Sequence, residues 1–171
     1  VRFYSGQSGA LMQTQEAAAR CVRGDPAPLL TRFARNTSTS DQPTVLDNAT
    51  GLEWQGCPHG LSGDLCGDGG ELVFLDWQAA LEHCESLDWG GSVDWRLPNV
   101  LEAQSIVDWR SSSPSIDLEA FPGSTWNPIW TSSTEAGEPD NGYFLNFNQG
   151  TIGSVGKDEN EYTVRCVRGA S

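Results

Sequence analysis

The sequence has little positive charge and no long apolar run. Lys157 is the only lysine, and ten lysine and arginine residues stand against 23 acidic residues, which gives a formal net charge of −13 in 171 residues. Nucleic acids and anionic membranes are bound by clustered basic side chains, so this composition argues against both partners. No stretch reaches the roughly 18 apolar residues of a membrane span, so membrane insertion is not expected.

Signals of catalysis are also few. The sequence has two histidines, His59 and His83, and contains no HExxH, GxSxG, GxGxxG or P-loop motif. His83 falls on a predicted helix surface, where a histidine is more often solvated than catalytic. Acidic residues are abundant, but spacing alone does not pair them into a general acid and a general base. We therefore expect that the protein is not an enzyme.

The cysteines indicate an oxidised protein outside the cytoplasm, because five in a chain of this size are typical of secreted domains. Cys84 lies on the inward face of a predicted helix and Cys166 in the last predicted strand, so we expect a disulfide between them. A second disulfide is expected between Cys57 and Cys66, across a loop rich in glycine. The alternative for that loop is a zinc site formed by Cys57, His59, Cys66 and a fourth ligand.

A repeated pentapeptide suggests that the chain holds parts of two modules. Arg20–Gly24 is identical to Arg165–Gly169, which closes the sequence. We therefore predict three segments: the terminal hairpin of a truncated preceding repeat at 1–24, a linker at 25–43 and a module at 44–171. The fifth cysteine, Cys21, would have its partner in the missing part of the earlier repeat.

Hydrophobic periodicity predicts an α+β fold in which two helices pack on a small antiparallel sheet with long irregular loops. The first helix begins after Asp76 and ends at Gly90 and Gly91, and the second runs from Val100 to about Trp109. The predicted strands are 44–46, 52–55, 72–75, 129–132, 143–148, 151–155 and 162–168. The last three are expected to pair with one another.

The stretch from Asp94 to Asn99 is predicted to form a packed corner before the second helix. Trp95 can bury a large surface, Arg96 can bridge carboxylates, and Pro98 restricts the backbone. Asn99 and Glu102 have the spacing of a capping box. The alternative is that Arg96 contacts a ligand.

Several of these segments resemble one known family. The similar segments are Leu46–Gln55, Trp77 with Ala80, Leu81 and Cys84, Gly91–Asn99, Trp130–Ser133 and Val164–Arg168. Together they resemble the Lcl C-terminal domain family, which is named for the C-terminal domain of a bacterial collagen-like adhesin. The resemblance implies a C-type-lectin-like fold related to formylglycine-generating enzymes, with a disulfide between Cys84 and Cys166. The founding adhesin binds sulfated polysaccharide through a basic surface, and the acidic composition here argues against carrying over that ligand.

Two groups of residues are candidates for ligand binding. The segment containing Glu138, Asp140 and Asn141 is similar to the calcium and sugar loop of C-type lectins, and its oxygen atoms suit Ca²⁺. The alternative is an ordinary turn. Trp126, Tyr143 and Asn146 could form a surface for carbohydrate or protein, whereas the nearby Trp130 is expected in the core.

These observations lead to a hypothesis with two alternatives. The chain is expected to be a non-enzymatic recognition or adhesion module of a bacterial surface, secreted or periplasmic protein, with a glycan or protein ligand bound on its long loops. One alternative is a structural repeat that self-associates through residues 1–24. The other is an oxidase of the formylglycine-generating type, which would need free thiols.

Overall fold

The computed structural model describes residues 31–39 and 41–169 of the chain. In this part the elements are β1 (Phe33–Asn36), β2 (Thr44–Asp47), β3 (Leu52–Gln55), α1 (Trp77–Glu85), α2 (Val100–Ser105), β4 (Pro128–Glu135), β5 (Glu138–Asn146), β6 (Thr151–Gly156) and β7 (Val167–Gly169). The α+β class is confirmed. The strands form two antiparallel sheets, ordered β1-β2-β3-β7 and β4-β5-β6, where the sequence predicted one. The predicted strand at 72–75 is absent from the structure and is replaced by a single bridge between Leu75 and Tyr162.

The first sheet grows around the hairpin of β2 and β3. Asp47 shapes the turn, because its carboxylate accepts a hydrogen bond from the Ala49 amide at 3.0 Å and its carbonyl accepts one from Gly51 at 2.8 Å. Gly51 has a φ of +72°, which favours glycine. On the outer side of β2 lies β1, so the described part of the predicted linker, 25–43, contributes a strand to this sheet. The predicted boundaries of the segments stay a prediction, and 1–24 lies outside the described residues.

The second sheet is a meander of three strands. A two-residue turn at Ala136 and Gly137 joins β4 to β5, and Gly137 has a φ of +89°. Because the turn falls there, β5 begins at Glu138, five residues before the predicted start. On β6, Gly153 lies opposite Phe144, and a Cβ atom at this glycine would stand 2.5 Å from the Phe144 ring. Strands β5 and β6 can therefore pair with this geometry only if position 153 has no side chain.

The last part of the chain differs from the prediction. Residues 162–168 were expected to form one strand beside the second sheet, but only β7 is a strand, and it pairs with β3 in the first sheet. The residues before it make single bridges, from Tyr162 to Leu75 and from Thr163 to Ile129. The Cys166 carbonyl accepts a hydrogen bond from the Gln55 amide at 2.9 Å. The segment thus crosses from one sheet to the other, which explains why neither sheet holds all of it.

Both helices are shorter than predicted, although their N-terminal caps lie where they were expected. The Asp76 carboxylate accepts a hydrogen bond from the Ala79 amide at 2.8 Å at the start of α1. This helix ends at Glu85, before the predicted stop at Gly90 and Gly91, and Ser86 caps it. Past the end of α2, the Asp108 amide donates a hydrogen bond to the Ser115 carbonyl at 3.0 Å. This bond draws the chain out of the helical path before Trp109.

Two disulfides and two hydrophobic clusters hold these elements together. Cys84 and Cys166 are bonded, as are Cys57 and Cys66, so both predicted disulfides are confirmed. The zinc alternative for the loop is wrong, since the two cysteines that it needs are bonded to each other. One cluster surrounds α2 and includes Ile106, Phe121 and Leu145, and the other surrounds the Cys84–Cys166 bridge and includes Trp95 and Trp130.

Within the described residues, no helix combines the length and the apolar character that crossing a lipid bilayer requires.

Candidate functional site

The predicted corner before α2 is tightly bonded to its surroundings. The side-chain oxygen of Asn99 accepts hydrogen bonds from the backbone amides of Leu101 and Glu102, both at 2.9 Å. In return, the Glu102 carboxylate accepts one from the Asn99 backbone amide at 2.8 Å, which completes a capping box. Arg96 donates to both oxygens of Glu102, at 2.8 and 2.7 Å. Trp95 is buried, and its indole N–H donates to two backbone carbonyls. Pro98 is buried beside it. These contacts give Arg96 and its neighbours a structural role.

The predicted calcium segment lies at the start of β5. Glu138 and Asp140 are exposed, and the Asn141 side chain donates a hydrogen bond to the Glu135 carboxylate at 3.1 Å. The Lys157 ammonium donates to the Pro139 carbonyl at 2.7 Å, so a positive charge already sits against this segment. Across the described residues, no group of three or more histidine, cysteine or acidic side chains is arranged to hold a metal ion. Calcium binding at this segment stays a prediction.

The four predicted aromatic and amide residues are divided between core and surface. Trp130 is fully buried, and its indole N–H donates to the Leu75 carbonyl at 2.8 Å. Tyr143 packs against the cluster around α2. Asn146 accepts a hydrogen bond from the Asn148 amide at 2.8 Å, which belongs to the turn after β5. Trp126 is 61% exposed, so of these four it is the one placed to meet a ligand.

The two histidines stack on each other. The ring centroids of His59, from the loop closed by one disulfide, and His83, from α1, are 3.7 Å apart. The expectation that His83 is solvated is therefore wrong. Burial, with a further contribution from the neighbouring His59, lowers the pKa of His83 to about 4. Both rings are neutral near pH 7, and the pair acts as a packing contact between the loop and the helix.

A cavity of about 660 Å³ lies beside the end of α2, in a place that the sequence did not indicate. Three stretches of chain line it: Thr31–Arg35 at the start of β1, Ile106–Arg110 after α2, and Asp117–Ala120 further along the same loops. Its volume falls within the roughly 300–1,000 Å³ of small-molecule sites. A second depression of about 440 Å³ is lined by 108–119 and shares Asp108, Arg110, Asp117 and Glu119 with the first. Both depressions thus lie at the loops after α2, but at other residues than the predicted ligand-binding ones, whose role stays a prediction.

Two aromatic residues, Phe33 and Trp109, line this cavity, and Trp109 is the exposed one. It is 57% exposed, which is unusual for a tryptophan in a folded domain. Its ring rests on Gly150, in the turn between β5 and β6, where a Cβ atom would lie 3.2 Å from the ring. The φ of Gly150 is +66°, so both the backbone and the packing favour glycine. One part of the indole is therefore supported by the second sheet while the rest stays open.

Next to Trp109, Asp108 and Arg110 form an ion pair of fixed geometry. The Asp108 carboxylate accepts hydrogen bonds from the Arg110 backbone amide and Nε, both at 2.9 Å, and from Nη2 at 3.1 Å. These bonds from Arg110 lower the pKa of Asp108, so the carboxylate stays charged in mildly acidic solution. The Arg110 side chain is 87% exposed. It presents its remaining N–H donors to solvent at the cavity.

Another part of the cavity wall comes from β1 and the two residues before it, and two arginines fix this part to the body of the protein. Arg32 donates to both carboxylate oxygens of the buried Asp47, at 3.2 and 3.0 Å. Burial raises the pKa of Asp47, but the hydrogen bonds from Arg32 and from the Ala49 amide outweigh it and the net pKa is lowered. Arg35 donates to the carbonyls of Ala120 and Asp64. The wall is thus held by contacts that no local sequence pattern reveals.

Together, these features define a disulfide-bonded α+β module that carries a loop-lined cavity with aromatic and charged side chains. A family model described as the Lcl C-terminal domain matches residues 43–168. The chain belongs to this family, as the resemblance of its segments suggested, and the family points to a surface- or adhesion-related module. No curated protein and no solved structure is similar enough to the chain to count as a match.

Proposed function

We propose that this chain is a non-enzymatic recognition module of an extracellular or periplasmic protein, which binds a carbohydrate or protein ligand through the loops that follow α2. The observation that supports this function best is the cavity of about 660 Å³ between those loops and β1. Its lining combines an exposed indole with charged side chains, the mixture typical of binding sites that orient a ligand. Family membership supports a role at the cell surface.

The rigid support of the loops favours recognition. Binding residues are commonly carried by loops on a fixed scaffold. Here the scaffold is fixed by two disulfides, and the cavity wall is fixed by the ion pair of Arg32 with Asp47. A preformed cavity lowers the entropy that a ligand must overcome when it orders the site. The disulfides also support a location outside the cytoplasm.

The cysteine and histidine chemistry favours binding over catalysis. Four of the five cysteines form disulfides, so only Cys21 remains for the oxidase alternative, which needs free thiols. Titration of the native protein with a thiol reagent should modify Cys21 alone, and two reactive thiols per chain would favour the oxidase. Both histidines are packed against each other rather than against an acidic partner or the cavity.

A glycan array with a parallel capture of protein ligands tests the proposed function. The wild-type chain and a variant carrying Asp117→Ala and Glu119→Ala, both in the cavity lining, should be compared with and without a calcium chelator. We expect binding that the double substitution abolishes. A double variant of two exposed acidic residues away from the cavity, Glu138→Ala with Asp140→Ala, is the matched control. Binding that only this control abolishes, and that requires calcium, would move the site to β5.

The repeated pentapeptide supports one alternative function, assembly of neighbouring copies. Its second occurrence, 165–169, includes β7, which forms one edge of the first sheet. The identical pentapeptide of another chain carries the same side chains and would suit the position of β7 in this sheet. Strand exchange between chains requires such an identical element. Mass measurement of the full chain and of a chain that starts at residue 25 separates the two functions. Self-association that depends on residues 1–24, without any ligand, would favour assembly.

A further inference from the structure

We propose that the cavity beside α2 binds an uncharged saccharide, with one pyranose ring stacked on the indole of Trp109. This inference rests on the proposed function, because it names the ligand class for the same site. It assigns the contacts to residues after α2 and on β1 and leaves the segment at Glu138 without a role in binding.

The first support is the position of Trp109. An exposed indole lacks the stabilisation that burial of its apolar surface would give. Here one edge of the ring rests on Gly150, where a Cβ atom would lie 3.2 Å from it. A ring that is open on one side and supported on another is suited to stacking, because support reduces the side-chain freedom that is lost on binding. A pyranose ring has an apolar face of C–H groups that matches such a surface.

The second support is the set of hydrogen-bonding groups around the indole. A sugar carries neighbouring hydroxyl groups that both donate and accept hydrogen bonds. Asp108 and Arg110 place an acceptor and a donor group side by side, joined by three hydrogen bonds. Asp117 and Glu119 line the same cavity. Charged groups make stronger hydrogen bonds than neutral ones, so this arrangement can hold several hydroxyl groups.

The charge of the cavity favours a ligand without charge. Its lining contains three arginines, Arg32, Arg35 and Arg110, and three carboxylates, Asp108, Asp117 and Glu119, so its formal charges cancel. The whole chain has a net charge of −13 and would repel a polyanion approaching from solution. Two of the arginines already donate to protein groups inside the fold. A sulfated or uronate-rich chain would therefore find no surplus of positive charge here.

The experiment uses defined oligosaccharides and three tryptophan variants of the full chain. The probes are the neutral hexasaccharides of glucose in β-1,4 and α-1,4 linkage, of mannose and of N-acetylglucosamine, with a hexauronate and a heparin hexasaccharide for comparison. Isothermal titration should be run for the wild type, Trp109→Ala, Trp109→Phe and Trp126→Ala. Trp126 is the matched control, because it is exposed to 61% and does not line the cavity.

We expect that at least one neutral hexasaccharide binds and that Trp109→Ala weakens its binding roughly tenfold, as loss of one aromatic contact predicts. Trp126→Ala should leave binding within about twofold, and Trp109→Phe should recover part of the loss. Thermal unfolding of Trp109→Ala close to that of the wild type would show that the loss is local. Binding should persist in a chelator.

Four results would overturn the inference. Equal binding by Trp109→Ala and the wild type would remove the stacking contact, and binding of the charged probes alone would reverse the charge argument. If no neutral probe binds but a protein ligand is captured and lost with the Asp117 and Glu119 variant, the saccharide inference fails and the recognition function stands. If neither kind of ligand is found, both fail together.

Discussion

The two disulfides close loops of very different length, and this difference predicts how much each stabilises the fold. Cys84 and Cys166 are separated by 82 positions, and Cys57 and Cys66 by 9. In the chain-entropy account, a cross-link restricts the unfolded chain more when it closes a longer loop. The same relation gives about 4.5 kcal/mol for the long loop and about 2.6 kcal/mol for the short one.

Replacing both cysteines of one bridge by alanine should therefore have unequal effects. We expect the Cys84→Ala, Cys166→Ala variant to lose about 2 kcal/mol more unfolding free energy than the Cys57→Ala, Cys66→Ala variant. All four cysteines are buried, so the loss of packed sulfur is similar in the two variants and largely cancels in the comparison. A total of 4.5 kcal/mol approaches the whole stability of many domains, which is about 5–15 kcal/mol.

Urea unfolding at equilibrium, followed by tryptophan fluorescence and by circular dichroism, measures this difference. The midpoint of the long-loop variant should be well below that of the short-loop variant, at similar slopes. Equal midpoints, or a lower midpoint for the short-loop variant, would refute the loop-length reasoning. The connection from α1 to the segment before β7 would then not be the main covalent support of the fold.

The remaining predictions concern a helix cap, a histidine and two glycines. Asn99→Ala should lower the free energy of unfolding, measured with urea, by about 1 kcal/mol. The reason is that the two helix amides that donate to the Asn99 side chain lose their acceptor. The pKa of His83 is about 4 in the folded protein and near the ordinary 6.5 when unfolded, so the unfolded state binds the proton first and stability should fall as the pH drops from about 6.5 to about 4. A thermal melting series for His83→Gln should lack most of this fall, and an unchanged series would contradict the assignment. Gly150→Ala should lower the free energy of unfolding more than Gly51→Ala does. Both glycines have a positive φ, but only a Cβ atom at Gly150 would lie 2.6 Å from the Val107 side chain. Equal costs would show that the turn relaxes without moving Trp109.

Much of the fold could be predicted because its signals are local. The caps at Asp76 and Asn99 depend on spacings of three residues, and the turn after Asp47 depends on five adjacent residues. The disulfides could be predicted because Cys84 occupies the inward face of a short helix. The path of residues 162–168 could not be predicted, since partners for its backbone groups come from both sheets and from distant loops. Alternating hydrophobicity indicates a strand but does not say which sheet it joins.

The cavity could not be predicted for a similar reason. Trp109 and Trp126 both stand in polar stretches of loop, and local sequence gives no means of ranking them. Their surroundings in the fold differ: Gly150, in the turn before β6, supports Trp109, and residues of β1 line the same cavity. From the sequence we predicted a ligand surface on the loops after α2, because those loops are long and irregular, and within them we selected residues by aromatic content and by a lectin-like segment. That ligand surface stays a prediction, and the cavity lies at other residues of the same loops.

Part of the cavity lining lies outside the range that the family model matches. The family model covers residues 43–168, whereas Thr31–Arg35, one wall of the cavity, lies before that range. This wall is nonetheless integrated into the module, because Arg32 pairs with Asp47, which is buried inside the matched range. The lining of the cavity therefore combines residues inside the matched range with residues that precede it.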